Sequence, residues 1–176
     1  MVINNYESKS RENHKLIGRI NKIRWNNRHF TMTPDFYTVG YAGRNTRELL
    51  TLLQQNHVAT LVDVRYFPIS RYRPEFSKKN LSDFLITAGI EYVHRSDWGV
   101  PKDIRAFSFN TTDRDTIWKW YDEYILPKII KRNMDDFFNT MTHPIALMCV
   151  EYDPTECHRH RISLGLEKIG LRGLDL

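Results

Sequence analysis

Residues 145–161, IALMCVEYDPTECHRHR, decide how this chain is read. Ile145 to Cys149 have the composition and length of a buried strand, bounded downstream by a short polar turn. Asp153, Pro154, Thr155 and Glu156 then form a helix-start signature: an N-cap, a proline at the first position and a glutamate at the third. Ile162, Leu166 and Ile169 supply the buried stripe of that helix, and His158 falls in line with them. Both cysteines of the chain, Cys149 and Cys157, lie in this strand–turn–helix, with Glu151, His158, Arg159, His160 and Arg161. In open α/β sheets ligands bind at this edge, outside the carboxyl ends of the strands.

The same alternation extends upstream. Phe36 to Tyr41 reads as a strand, and Asn45 followed by Glu48 has capping-box spacing ahead of Leu49, Leu50, Leu52 and Leu53. Thr60 to Arg65 reads as a second strand, Lys78–Ala88 as a helix stopping at Gly89, and Ile90 to His94 as a third strand. Residues 95–112 lack periodicity and read as a long loop. Asp113 to Thr140 reads as a helix that Pro127 kinks or divides, and Arg172 to Leu176 as a last short strand. Strands alternating with helices imply right-handed crossovers and a sheet covered on both faces. The expected fold is α/β: a Rossmann-like three-layer domain with a mostly parallel sheet of about five strands.

The net charge of +5 is unevenly placed. Residues 1–33 hold seven of the 26 basic residues and two of the 21 acidic ones, leaving 19 of each in residues 34–176. The division is therefore a basic N-terminal extension, 1–33, helical or disordered, and a neutral α/β domain, 34–176. No apolar run has the length of a membrane span, and no apolar leader core is present. Two cysteines are not a disulfide framework, so a cytoplasmic protein with no membrane partner is expected.

At the sheet edge, Gly40, Tyr41, Asp63, Arg65, His94, Cys149 and Glu151 are expected to face one crevice. The loop from Arg65 to Phe76 interleaves Arg65, Arg71 and Arg73 with Tyr66, Phe67, Tyr72 and Phe76, a composition suited to phosphate with a stacked base. It equally suits Arg65 paired with Asp63 or Glu151 and aromatics covering the sheet edge. A strand-end thiol at Cys149 is similar to those of phosphatases and rhodaneses, but the acidic Glu151 and Asp153 that follow would repel an anion and raise the thiol pKa. Cys157, near a helix start with His160 and Arg161 on its face, is better placed for reactivity. Cys149, Cys157, His158 and His94 could converge on a metal, but their spacing matches no common zinc pattern. No metal and no cofactor are expected.

Tyr37-Thr38-Val39-Gly40-Tyr41, Leu61-Val62-Asp63-Val64-Arg65 with Pro68, Ser70 and Arg71, Gly89 to His94, and Leu147 to Glu151 followed by Cys157-His158-Arg159 together resemble the domain-of-unknown-function family DUF488. The resemblance covers roughly residues 36–176. It implies one α/β domain and marks Asp63, Arg65, Ser70, Arg71, His94, Cys149, Glu151, Cys157, His158 and Arg159 as signature positions. It implies no reaction. Where family members commonly carry a Gly-His-Ser turn, this chain has Gly40-Tyr41-Ala42.

Three functions are compatible with these residues. The first is a domain that binds a phosphate-bearing ligand, a nucleotide or nucleic acid, through Arg65, Ser70, Arg71, Arg73 and Arg159, with Tyr41, Tyr66 and Tyr72 beside it. The second is an enzyme using Cys157 or Cys149, with His158 or His94 as base, Glu151 orienting and Asp63 nearby. The third is an interaction module in which the Cys-His-Arg segment locks helix to sheet.

Overall fold

The computed structural model describes residues 33–109, 114–130 and 140–176. The basic extension thus lies outside the described residues, apart from Thr33. The apolar runs pair as one parallel sheet of β1 (Phe36–Gly40), β2 (Thr60–Asp63), β3 (Glu91–His94), β4 (Ile145–Cys149) and β5 (Gly173–Asp175). The strand order is β3-β2-β4-β1-β5, which makes Ile145–Cys149 the central strand. Its Ala146 stands opposite Leu61 on one side and Tyr37 on the other. All five of its residues are buried, as expected of a strand with neighbours on both edges and helices on both faces.

The helices are α1 (Thr46–Gln55), α2 (Lys78–Thr87), α3 (Lys102–Phe109), α4 (Arg114–Tyr124) and α5 (His158–Lys168). From β1 to β3 the chain steps along the sheet in one direction, and from β3 to β5 it steps back. Right-handed crossovers then place α1 and α2 on one face and the later helices on the other. The two cores follow this division. Leu49, Leu53, Leu81 and Leu85 pack with Val39, Leu61, Ala146 and Met148. Ile117, Tyr121, Ile162 and Leu166 pack with Phe36, Val62, Ile145, Leu147 and Cys149. Alternate residues of a strand face opposite sides, so Cys149 belongs to the α4–α5 face and Met148 to the α1–α2 face.

The expected α/β three-layer domain is present, and its sheet is wholly parallel. The capping box forms: Asn45 Oδ1 accepts from Glu48 N at 2.9 Å, and Glu48 Oε2 accepts from Asn45 N at 2.7 Å. Two expectations need correction, over residues 95–112 and at Asp153. Residues 95–112 are not a bare loop: Ser96–Trp98 make a 3-10 turn and Lys102–Phe109 a helix, held by burial of Trp98 rather than by a periodic stripe. The helix expected over 113–140 is divided near Pro127 as expected, with a break at Ile125 after which residues 126–130 resume it. Residues 131–139 lie outside the described ones. Asp153 does cap, but it caps a 3-10 turn, Pro154–Glu156, and α5 starts afresh at His158 with Cys157 as its N-cap. Among the described residues no helix is long and apolar enough to cross a membrane.

Two glycines set how the carboxyl-edge loops cross. A Cβ on Gly40 would lie 1.8 Å from the Glu151 carbonyl oxygen, so the loop after β4 passes directly over the end of β1. A Cβ on Gly99 would lie 2.2 Å from the Tyr66 backbone nitrogen, so the loop after β2 rests on the turn before α3. Only a missing side chain permits either approach.

Candidate functional site

Because β4 ends with Cys149 facing α5, its thiol meets the residues that begin that helix. Cys149 Sγ lies 3.7 Å from His158 Nδ1 and 3.5 Å from Glu151 Oε2. The ligand atoms of Cys149, Cys157 and His158 all fall within 4.8 Å of one another. His158 Nε2 is 3.0 Å from the Val64 carbonyl oxygen, just past β2, so that nitrogen carries a proton and donates it. Cys149 Sγ lies beside the ring, 3.7 Å from Nδ1 and 4.0 Å from Nε2. Tyr121 from α4 packs its ring 5.6 Å from the imidazole and donates its hydroxyl to the Trp98 carbonyl at 2.6 Å. The imidazole is thereby fixed from two sides.

Arg159 holds the loop carrying Glu151. Its guanidinium donates to the carbonyls of Glu151 at 2.5 Å and Tyr152 at 3.0 Å, and its Nε to Thr38 Oγ1 at 3.3 Å. Thr38 in turn donates to Asp175 on β5. The side chain is 1% exposed, so these bonds are made away from water and are costly to lose. Arg161, one turn along the solvent side, pairs with Asp122 and ties α5 to α4.

The sulfurs are 2% and 1% exposed, at Cys149 and Cys157 respectively. Burial pushes the Cys149 thiol well above its ordinary value, and the neighbouring Cys157 and Glu151 push the same way. At Cys157 burial also raises the pKa, but hydrogen bonds from Cys149 and His158, with the imidazolium charge, outweigh it and hold the thiol well below its ordinary value. For His158 burial favours the neutral ring, and the Cys157 thiolate overcomes that and raises the pKa. Burial likewise raises Glu151, with the Cys157 charge adding to it. All four groups of this cluster thus depart from free side chains.

The cluster opens on a cleft of about 250 Å³ between the β2 and β4 loops. Cys149, Glu151 and His158 form its floor, Tyr66, Phe67 and Trp118 provide rings, and Arg105 and Arg114 provide cations. Arg114 also pairs with Glu156 at 3.3 Å. A larger depression of about 560 Å³ runs along the outer surface of α1, but it is shallow and lacks the cysteines and histidine.

The other expected site residues gather on the opposite face. Arg65 pairs with Asp63 through two hydrogen bonds, Nε to Oδ1 at 2.8 Å and Nη2 to Oδ2 at 2.5 Å. It also donates to Tyr41 Oη at 3.2 Å and the Phe76 carbonyl at 2.8 Å. Tyr92 donates its hydroxyl to Asp63 at 2.5 Å, and His94 Nε2 meets the Arg65 carbonyl at 2.9 Å. Arg73 lies over the Phe76 ring and donates to the carbonyls of Tyr41 and Arg44. Ser70 Oγ accepts from Arg73 N at 3.1 Å, while Arg71 and Tyr72 point into solvent. The single crevice expected from the sequence is therefore divided by strand parity. Asp63, Arg65 and Tyr41 share the α1–α2 side, and Cys149, Cys157 and His158 the α4–α5 side. Of the arginine–aromatic loop, only Arg65, Tyr66 and Phe67 reach the cleft. The guanidinium groups of Arg65, Arg73 and Arg159 are occupied by the protein's own oxygens and the Asp63 and Glu75 carboxylates.

A family model described as "Domain of unknown function DUF488" matches residues 45–164, more than half of the chain. The chain belongs to this family. No curated protein and no solved structure matches it. The DUF488 match runs from the α1 cap at Asn45 through most of α5, and so contains every residue of the cysteine–histidine cluster and its cleft. Three cleft residues of this DUF488 domain, Arg105, Arg114 and Trp118, are not evident as site residues from the sequence. Arg105 falls in the stretch without periodicity, and Trp118 lies within the expected helix 113–140. The Val64 carbonyl that orients His158 is a backbone group, which no side-chain pattern reveals.

Proposed function

We propose that this DUF488 domain binds a small phosphate-bearing molecule, a nucleotide or the end of a nucleic-acid strand, in the cleft between β2 and β4, and acts on it with the groups at the floor. The observation behind this is the convergence of Cys149, Cys157, His158 and Glu151 beneath a cleft that carries both rings and arginines. Planar rings at Tyr66, Phe67 and Trp118 suit a stacked base, and the guanidinium groups of Arg105 and Arg114 suit phosphate. The volume of about 250 Å³ suits a small ligand or the end of a strand rather than a duplex. The sequence points to Arg65, Ser70, Arg71, Arg73 and Arg159 for phosphate; on this reading Arg105 and Arg114, which line the cleft, take that part, with Arg114 exchanging its Glu156 partner for the ligand.

The experiment is calorimetric titration of nucleoside monophosphates and short single strands at low salt, into the parent and an Arg105→Ala/Arg114→Ala variant. Saturable binding by the parent, weakened about tenfold or more in the variant, is expected from losing charge-assisted hydrogen bonds. Equal binding by both proteins, or none by the parent across the panel, overturns the proposal.

The burial of both sulfurs favours a second reading, in which the cluster locks α5 to the sheet without catalysis. Cys157→Ser would then lower stability and leave nucleotide binding and any turnover unchanged.

A further inference from the structure

We propose that Cys149, Cys157 and His158 bind a zinc-class divalent ion, with a fourth coordination position open to the cleft and Glu151 beside it. The proposal rests on the reading of the cleft as the functional site and names the cofactor of that site.

The donor atoms have the composition and spacing such an ion takes. Two thiolates and an imidazole are a common zinc ligand set. With Zn–S near 2.3 Å and Zn–N near 2.0–2.1 Å, tetrahedral geometry puts neighbouring sulfur and nitrogen ligands roughly 3.5–3.8 Å apart. Cys149 Sγ stands 3.7 Å from His158 Nδ1 and 4.0 Å from Nε2, so the sulfur would have to swing toward the Nδ1 lone pair on binding, and all three donor atoms lie within 4.8 Å of one another.

The surrounding groups are those that orient metal ligands. A ligating histidine donates its other ring N–H to a carbonyl or carboxylate, which fixes the tautomer and aims the lone pair. His158 does this through Nε2 to the Val64 carbonyl at 3.0 Å, leaving Nδ1 for the ion. Cys149 is the last residue of the central strand, and Cys157 and His158 are the N-cap and first residue of α5. The site is therefore built on two rigid elements, with Arg159 clamping the loop between them.

The fourth position decides the kind of site. The grouped donors are three, and Cys149, Glu151 and His158 all border the cleft. Three protein ligands with an open position mark a catalytic rather than a structural ion. Glu151 Oε2, 3.5 Å from Cys149 Sγ, is placed to take a proton from a water or substrate hydroxyl at that position. The eight-residue separation of the cysteines hides the site from spacing rules. Those rules describe ligands on one knuckle, whereas here a strand end and a helix start supply them.

The test is cobalt and zinc titration of the full chain after chelation under reducing conditions. Expected are one ion per chain, tetrahedral cobalt bands with thiolate charge transfer, and displacement of cobalt by zinc. Cys149→Ser, Cys157→Ser and His158→Ala are each expected to weaken binding more than about 100-fold, beyond the loss from removing an outer partner. Should a variant fail to fold, the wild-type spectrum and protection of both cysteines from alkylation by zinc still decide. Absence of a thiolate–cobalt band from the folded wild-type chain, or a band unchanged in folded variants, overturns the metal site. Nucleotide binding by the metal-free chain without any cobalt band would sink the ion alone. A cobalt band in a chain that binds no nucleotide would sink the ligand reading alone.

Discussion

At the scale of single residues, the arginines show what a sequence conveys and what it leaves out. Arg65, Arg73 and Arg159 read as phosphate ligands because of their type and spacing, yet each answers oxygens inside the fold. Sequence reports the guanidinium but not its depth, and a buried guanidinium must be satisfied where it lies. The Asp63–Arg65 pairing was legible, since residues two apart on a strand share a face. Arg159→Met is expected to destabilise the domain by about 2–4 kcal/mol in chemical denaturation, because it leaves two loop carbonyls unpaired. The phenol of Tyr92 gives a pH prediction. Burial, then the Asp63 charge, raises its pKa above the unfolded value of about 10. The folded state thus holds that proton more tightly, contributing stability below about pH 10 that is lost as pH rises further. Stability curves of the parent and Tyr92→Phe are expected to converge above pH 10; parallel curves would contradict this.

At the scale of elements, the strand–turn–helix of residues 145–168 was legible as such, and its fine structure was not. Asp153, Pro154 and Glu156 carry a helix-start pattern that the chain uses for one 3-10 turn, after which Cys157 caps α5 itself. That second start turns Cys157 and His158 toward Cys149. The pattern records local preference; the loop that precedes it crosses the end of β1 at Gly40. Gly40→Ala, whose Cβ would meet the Glu151 carbonyl oxygen at 1.8 Å, is expected to cost about 1–3 kcal/mol through overpacking. It should also displace Glu151, so ligand binding is expected to weaken more than in an equally destabilised core variant such as Leu53→Ala. Similar binding in the two would separate the loop from the site.

At the scale of the whole molecule, strand order was the missing quantity. Alternating strands and helices sufficed for a parallel three-layer domain, but not for placing β4 between β2 and β1. With that order, the parity of each strand sends Asp63, Arg65 and Tyr41 to one side of the sheet and Cys149 to the other. What looked like one crevice is a buried ionic network around Asp63 and an open cleft over Cys149 and His158, with Arg65 bordering both. Asp63→Asn is expected to lower stability in chemical denaturation, because it leaves the buried Arg65 guanidinium without its carboxylate partner. Residue-resolved amide NMR during titration with a nucleoside monophosphate tests the central claim most directly. Shifts gathered at residues 65–67, 100–105, 114–118 and 149–158 are predicted; shifts confined to 41–47 and 70–76, or none at saturating ligand, would contradict it.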